Sequence, residues 1–354
     1  MTPPIRSKAA GIVLLANRGD AAGGEIMLLH LACALRDLGR RVSIVAPRSP
    51  SETADLAAAA GFEVQRVPGG SRAAYLLGLR RWARRARGDL LWCNGLVPAL
   101  ALSGRSHRVV HLHQLPEGPV RIALAALARC GSAATVVPSA WMAARLPGSF
   151  ALENWVPEPA GPAAEPQAER WRDGGALRVG FLGRLTPDKG ILDLLRAGEL
   201  LERSRPGAFE LLIAGDLRFV PEAQAEEIER ALDAAGHRAR CLGWAPREEL
   251  FRQIDLLVVP SDWPEVFGLV AAEAMAARVP LVVSDAGALP EVVGEDHPLV
   301  ARAGDPESLA ATIRRAAQLD RQGLVEAQHR RWEQRWSPQA GRRRLQRFLT
   351  ERGL

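Results

Sequence analysis

Cysteine is scarce in this sequence. Its four residues, Cys33, Cys93, Cys130 and Cys241, stand singly, with no CxxC pair and no Cys/His cluster. That argues against a disulfide framework and structural zinc, and fits a reducing compartment. Long apolar runs are missing too. The longest early one, GIVLLA at 11–16, is too short for a signal-peptide core or a membrane span and reads as a buried first strand. The expectation is a cytoplasmic chain, neither exported nor integral to a membrane. No Asp-x-Asp occurs anywhere, so a metal-clamped diphosphate has no obvious ligands and no metal site is expected. RNP, zinc-finger and helix-turn-helix patterns are likewise lacking, so no nucleic-acid partner is expected despite a formal charge of +6.

What is present is an ordinary globular composition, with 47% apolar and 24% charged residues over 354 positions. That length suits two domains of roughly 150–200 residues each. Much of the basic charge is local. Arg80, Arg81, Arg84, Arg85 and Arg87 crowd one segment, and 328–347 is rich in arginine. Such patches suit an anionic lipid surface or a phosphorylated ligand, or else the solvated face of a chain that uses Arg in place of Lys.

Short apolar strands alternate with helical stretches. Segments 11–17, 41–47, 62–67, 89–94, 108–113 and 134–139 read as strands, as do 177–183, 209–215, 239–244, 255–261 and 280–285. Between them lie helical patterns such as EIMLLHLACALRDLG, with an apolar stripe through Ile26, Leu29, Ala32, Cys33 and Ala34 to Leu38. The rhythm predicts α/β architecture, with two Rossmann-like, doubly wound domains facing each other across a cleft. Boundaries follow from where it breaks: an N-terminal, acceptor-side domain over 1–155 and a proline-punctuated linker over 156–176. A C-terminal, donor-side domain follows over 177–335, then a helix over 336–354 that could cross back to the first domain.

Two carboxylates in a mostly apolar stretch draw the chemistry to the second domain. PEVFGLVAAEAM places Glu265 at the mouth of a helix starting near Val266, and Glu273 inside it. On a helix that spacing turns through about 80° and rises about 12 Å. The two acids are then too far apart for one dyad, but able to hold opposite ends of an elongated ligand. The first-turn N–H groups of Phe267, Gly268 and Leu269 favour anionic oxygens, and Gly268 lets the backbone approach. In FLGRLTPDKG, Arg184 and Lys189 set two cations at the end of a strand, with Lys189 opening the next helix. Carboxylates suit sugar hydroxyls, and cations with free amides suit a diphosphate. One ligand satisfies them all: a nucleotide diphosphate sugar.

The runs GRLTPDKG, LLIAGD, LGWAPREELF and PSDWPEVFGLVAAEAMAARVPLVVSDAGALPEVVG resemble the retaining glycosyltransferases of family four, which have the GT-B fold. The spacing of Glu265 and Glu273 matches the family's E-x7-E motif. More loosely, NRGDAAGGEIMLLHLACALRDLGRRVSIVAP resembles the family's opening strand, Gly-Gly turn and first helix. The resemblance implies that Arg184 and Lys189 bind the donor diphosphate, that Glu273 holds the ribose, and that Glu265 with the amides of Phe267 to Leu269 holds the transferred sugar and phosphate. It also implies that Gly23 and Gly24 lie near the diphosphate, and that His113 stands beside the reacting sugar, with His111 as its competitor. Backbone around Trp244 and Ala245 would meet the nucleobase.

The implied activity is metal-independent glycosyl transfer with retention, with no cofactor beyond the nucleotide sugar, in cell-surface glycan, glycolipid or natural-product biosynthesis. A non-hydrolysing sugar-nucleotide epimerase and a non-catalytic nucleotide-sugar-binding subunit are the alternatives. The acceptor stays open between a lipid-linked glycan, lipopolysaccharide and a soluble small molecule. The helix over 76–89, with Leu76, Leu79, Ala83 and Ala86 on one side and arginines elsewhere, either covers the first sheet or rests on an anionic membrane with Trp82 near the interface.

Overall fold

The computed structural model describes residues 11–86, 88–159, 175–218 and 220–354. Arg87 and most of the expected linker, 160–174, lie outside the described residues. Two compact units are present: Met1–Trp155 with Pro338–Leu354, and Val156–Ser337.

In the first unit seven parallel strands form one sheet. They are β1 (Ile12–Leu15), β2 (Val42–Pro47), β3 (Glu63–Val67), β4 (Leu90–Asn94), β5 (Arg108–His111), β6 (Ala134–Val137) and β7 (Phe150–Ala151), in the order β3-β2-β1-β4-β5-β6-β7. The second unit holds β8 (Leu177–Leu182), β9 (Phe209–Ala214), β10 (Ala239–Gly243), β11 (Leu256–Val259), β12 (Leu281–Ser284) and β13 (Val300–Ala301), in the order β10-β9-β8-β11-β12-β13. Both are Rossmann-like parallel sheets. Strand order reverses between β1 and β4 in one and between β8 and β11 in the other, which is where such sheets open a crevice.

Central strands are short runs of β-branched and other apolar residues, buried on both faces because helices cover both sides. The edge strands β3 and β10 are largely exposed, and on β3 the polar side chains of Glu63, Gln65 and Arg66 blunt pairing with another chain. Every segment read as a strand from the sequence forms one, trimmed by up to three residues at its ends. β7 and β13 were not legible, since two residues carry no period.

The first helix, Gly23–Asp37, buries Ala32, Ala34 and Leu35 of the expected stripe, but also Met27, Leu28 and Leu31 outside it. Leu29, Cys33 and Leu38 are only partly covered. The C-terminal helix, Pro338–Arg352, packs on it and buries a second face, so no single stripe describes it. Arg342 pairs with Asp37 at 2.7 Å, and Phe348 meets the Trp92 ring edge-on with centroids 5.9 Å apart. A Cβ at Gly341 would lie 2.2 Å from the Trp155 ring. Trp336, by contrast, belongs to the second unit, where it meets Phe267 edge-on at 5.2 Å and donates from Nε1 to the Val292 carbonyl. Val156, the first residue of the expected linker, is buried, with its N–H on the Trp336 carbonyl.

Gly341→Ala should therefore force the C-terminal helix off Trp155 and cost about 1–3 kcal/mol, the usual penalty of overpacking. A lower melting temperature and faster proteolysis near residue 337 check this; an unchanged melt contradicts the close packing.

Candidate functional site

Because all six strands of the second sheet run parallel, the loops after them share one edge. After β8 the chain passes Arg184, makes a 3₁₀ turn over Pro187–Lys189, and enters the helix Ile191–Ser204. Lys189 therefore precedes that helix by two residues rather than opening it. After β11 comes the Ser261–Glu265 loop. The two loops flank the switch point and are tied together there. The Asp188 carbonyl accepts from the amides of Asp262 and Trp263, and Lys189 Nζ reaches Glu265 Oε1 at 2.5 Å. The Ser261 hydroxyl donates to the same oxygen at 2.8 Å. Arg184 is exposed and has no ion-pair partner among the described residues.

Glu265 is not helical. It forms an isolated parallel bridge with Gly287, and its carbonyl accepts from the amide of Ala288 at 2.8 Å. Gly287 has φ +65°, and a Cβ there would lie 2.3 Å from the Glu265 carbonyl oxygen, so only glycine permits this contact. The helix starts three residues later than expected, at Leu269, with Gly268 capping it at φ +96°. Gly268 is thus required by the left-handed turn and by Leu289, which a Cβ would meet at 2.5 Å. The twelve-ångström helical separation of the two glutamates does not apply, since only Glu273 sits on the helix. The amides of Phe267, Gly268 and Leu269 donate to nothing among the described residues.

Glu273 is largely buried and paired with Arg247 Nη1 at 2.5 Å. Burial raises its pKa, and the Arg247 charge opposes the rise. Arg247 also binds Glu248 through Nε at 3.0 Å. At the end of β10, Trp244 is exposed, with the Arg218 guanidinium 5.9 Å from its ring centroid, and Ala245 is half-buried behind it.

The first unit has its own cluster at its switch point. Gly23 and Gly24 open the first helix after β1. A Cβ at Gly24 would lie 3.3 Å from the His113 ring, so the histidine rests on the bare backbone. Asn94, at the end of β4, donates from Nδ2 to the Gly24 carbonyl at 2.9 Å. Its Oδ1 faces His113 Nε2 at 2.8 Å. The carbonyl can only accept, which fixes the amide's orientation, so Nε2 carries the proton and Nδ1 is left as an acceptor. Burial lowers the His113 pKa to about 4. His111 lies inside the sheet, its ring 4.0 Å from that of His113 and edge-on to Trp92, with neither nitrogen hydrogen-bonded among the described residues. Burial holds it neutral too. Glu25, in the first turn, accepts from the amides of Asn17 and Arg18, and burial raises its pKa to about 7.

Two family models, described as Glycosyl transferases group 1 and Glycosyltransferase Family 4, match residues 176–318 and 21–153 and together take in most of the chain. The chain belongs to glycosyltransferase family four. Among curated relatives, the chain is 32% identical over 163 residues to O-antigen chain mannosyltransferase B of Escherichia coli, covering 43% of this chain and 42% of that one. It is 39% identical over 142 residues to a D-inositol 3-phosphate glycosyltransferase of Corynebacterium efficiens, covering 38% and 33%. The chain thus spans less than half the length of these relatives. Two solved structures share its fold throughout. Anabaena Alr3699/HepE in complex with UDP and glucose aligns at TM-score 0.78 and 21% identity over 96% of this chain and 99% of that one. Sucrose-phosphate synthase from Thermosynechococcus elongatus aligns at 0.79 and 18%, over 97% and 98%. The fold is GT-B.

In this chain, then, Arg184, Lys189, Glu265 and the three amides share the loops at one sheet edge, and Gly24 and His113 share another cluster. Arg247, Ser261, Asn94 and Glu25 were missed. Arg247 lies 26 positions before Glu273, a distance no local pattern encodes, whereas a polar Asn94 closing an apolar strand was a usable signal.

The buried, neutral histidines carry a consequence for stability. Their folded pKa values lie below the unfolded value near 6.5, so the unfolded chain binds more protons between pH 6.5 and 4. The histidines' contribution to stability should fall as pH drops through that window, while Glu25, with its pKa raised to about 7, contributes in the opposite sense between about pH 7 and 4.5. His111→Leu should make the fall shallower in thermal melts taken from pH 7 to 4.5; an unchanged acid limb contradicts the burial.

Proposed function

We propose that the protein transfers a glycosyl group, with retention, from a nucleotide diphosphate sugar to an acceptor hydroxyl without a metal ion. The observation that carries this reading is the pairing of Lys189 with Glu265 beside exposed Arg184 and three undonated amides. A cation, a guanidinium and a helix N-terminus together answer a diphosphate, and a carboxylate beside them answers sugar hydroxyls. On this reading the ion pair is the resting state of the site. The diphosphate takes over Lys189 when it arrives, and Glu265 turns its freed oxygen to the sugar.

The leaving diphosphate is stabilised by Arg184, Lys189 and the amides of Phe267, Gly268 and Leu269, groups held in place before the reaction starts. The acceptor attacks from the face the diphosphate leaves, and a phosphate oxygen takes its proton, so no enzyme nucleophile is used. Glu273, steadied by Arg247, receives the ribose. Trp244 and Ala245 meet the base, with the exposed indole offering a stacking face. To the first unit we assign His113, whose free Nδ1 accepts from a sugar hydroxyl, and Gly23 and Gly24, whose bare backbone admits the diphosphate. Two likenesses support the class of donor: HepE binds UDP and glucose, and the family is one of glycosyl transfer.

Lys189→Ala and Glu265→Ala should each lower turnover at saturating donor by about 10²-fold or more, in line with the loss of one preorganised charge-stabilising group. Both variants should stay folded, with a modestly lower melting temperature, since each leaves one charge of a half-buried pair unpartnered. Thermal shift against UDP-, GDP-, ADP- and dTDP-sugars identifies the donor, since a bound ligand raises the melt by mass action. Transfer and donor hydrolysis are then measured with it. Near-normal turnover in either variant overturns the assignment, and an isomerised donor without acceptor marks an epimerase instead.

A further inference from the structure

One face of the first unit is built the wrong way round for water. The helix Gly118–Arg129 buries only Ala125 and Ala128. The side that should be polar is apolar instead: Val120 is 70% exposed, Ile122 54%, Leu124 36% and Leu127 55%. A soluble monomer scatters such residues singly; four on one twelve-residue helix make a patch.

The strand order decides what lies beside it. Connections from β3 to β4, β4 to β5 and β5 to β6 all progress in one direction across the sheet, so right-handed crossovers put their helices on one face. Helices Arg72–Ala83, Leu96–Ala101 and Gly118–Arg129 therefore lie side by side, and consecutive members pack together. On the first of them Leu77, 51% exposed, continues at helical spacing into Arg80, Arg81 and Arg84, all exposed, with Arg85 beyond. None of these four arginines has an ion-pair partner among the described residues. From Arg72 to Arg145 the sequence carries eleven arginines against two acids, Asp89 and Glu117, a net of +9 where the whole chain has +6. An apolar ridge beside an uncompensated basic one fits a surface that is negative outside and hydrocarbon beneath.

We propose that this face docks on an anionic lipid bilayer, with the Gly118–Arg129 ridge inserted at the headgroup level and the arginine ridge on the lipid charges. Trp82 is not the anchor. It is half-buried, with its indole N–H on Gln65 Oε1 at 2.7 Å. A second copy of the chain fits less well, because two such faces would bring their arginines together. The inference does not rest on the donor site and stands or falls separately from it.

The test is co-sedimentation of the full chain with phosphatidylcholine vesicles, with and without phosphatidylglycerol, at low and high salt, alongside sedimentation equilibrium without lipid. The expected result is a lipid-free monomer that binds only the anionic vesicles and weakens with salt. Ile122→Asp with Leu127→Asp, and separately Arg81→Glu with Arg84→Glu, should each cut binding at least about tenfold. Both pairs lie at exposed positions, and a thermal melt verifies folding. Equal binding to both vesicles, no binding, apolar variants that bind as the parent does, or a lipid-free dimer that the apolar variants dissociate each overturns it.

Discussion

The ion pair between Lys189 and Glu265 joins the two loops that a doubly wound sheet holds apart. β8 and β11 are neighbours whose chains leave in opposite directions, one toward β9 and the other toward β12, so the path of the chain does not itself link the loops above them. The salt bridge and the two amides on the Asp188 carbonyl do that work, and the Ser261 hydroxyl steadies the Glu265 carboxylate within its own loop. The chain has only two lysines among 46 basic residues, and one of them is here. A compact ammonium on a flexible stem can leave one anion for another, where a guanidinium fork would stay locked on the carboxylate.

The same arrangement explains why Glu265 needs no helix. Its backbone is held by the Gly287 bridge and its side chain by Lys189, so a strained turn and a charge fix the carboxylate together. Glu273 is held differently, on a packed helix and against Arg247. Two acids eight positions apart are thus positioned by separate means, which allows one to release its partner while the other stays fixed.

Architecture was legible because buried parallel strands write themselves as short β-branched runs between helical periods. Strands of two residues, and the extra face that the C-terminal helix covers, leave no such trace. For the site, residue types at strand ends led to Arg184, Lys189, Glu265 and Glu273, while the local geometry around them was misread. A helix was expected at Val266 because nothing in PEVFGL announces the bridge to a glycine 22 positions later. Arg247 stayed hidden for a related reason, since it acts on a partner 26 positions along the chain. The exposed ridge of Gly118–Arg129 was invisible for the opposite reason, since an apolar helix in a sequence reads as core until its neighbours are known.

The most direct measurement is a crystal structure of the protein soaked with nucleotide sugars at saturating concentration. The account predicts diphosphate oxygens within hydrogen-bond distance of Lys189 Nζ, of Arg184 and of the amides at the start of the Leu269–Ala276 helix, with Glu265 turned to a sugar hydroxyl. A nucleotide seated elsewhere, with Lys189 still closed on Glu265, would contradict it.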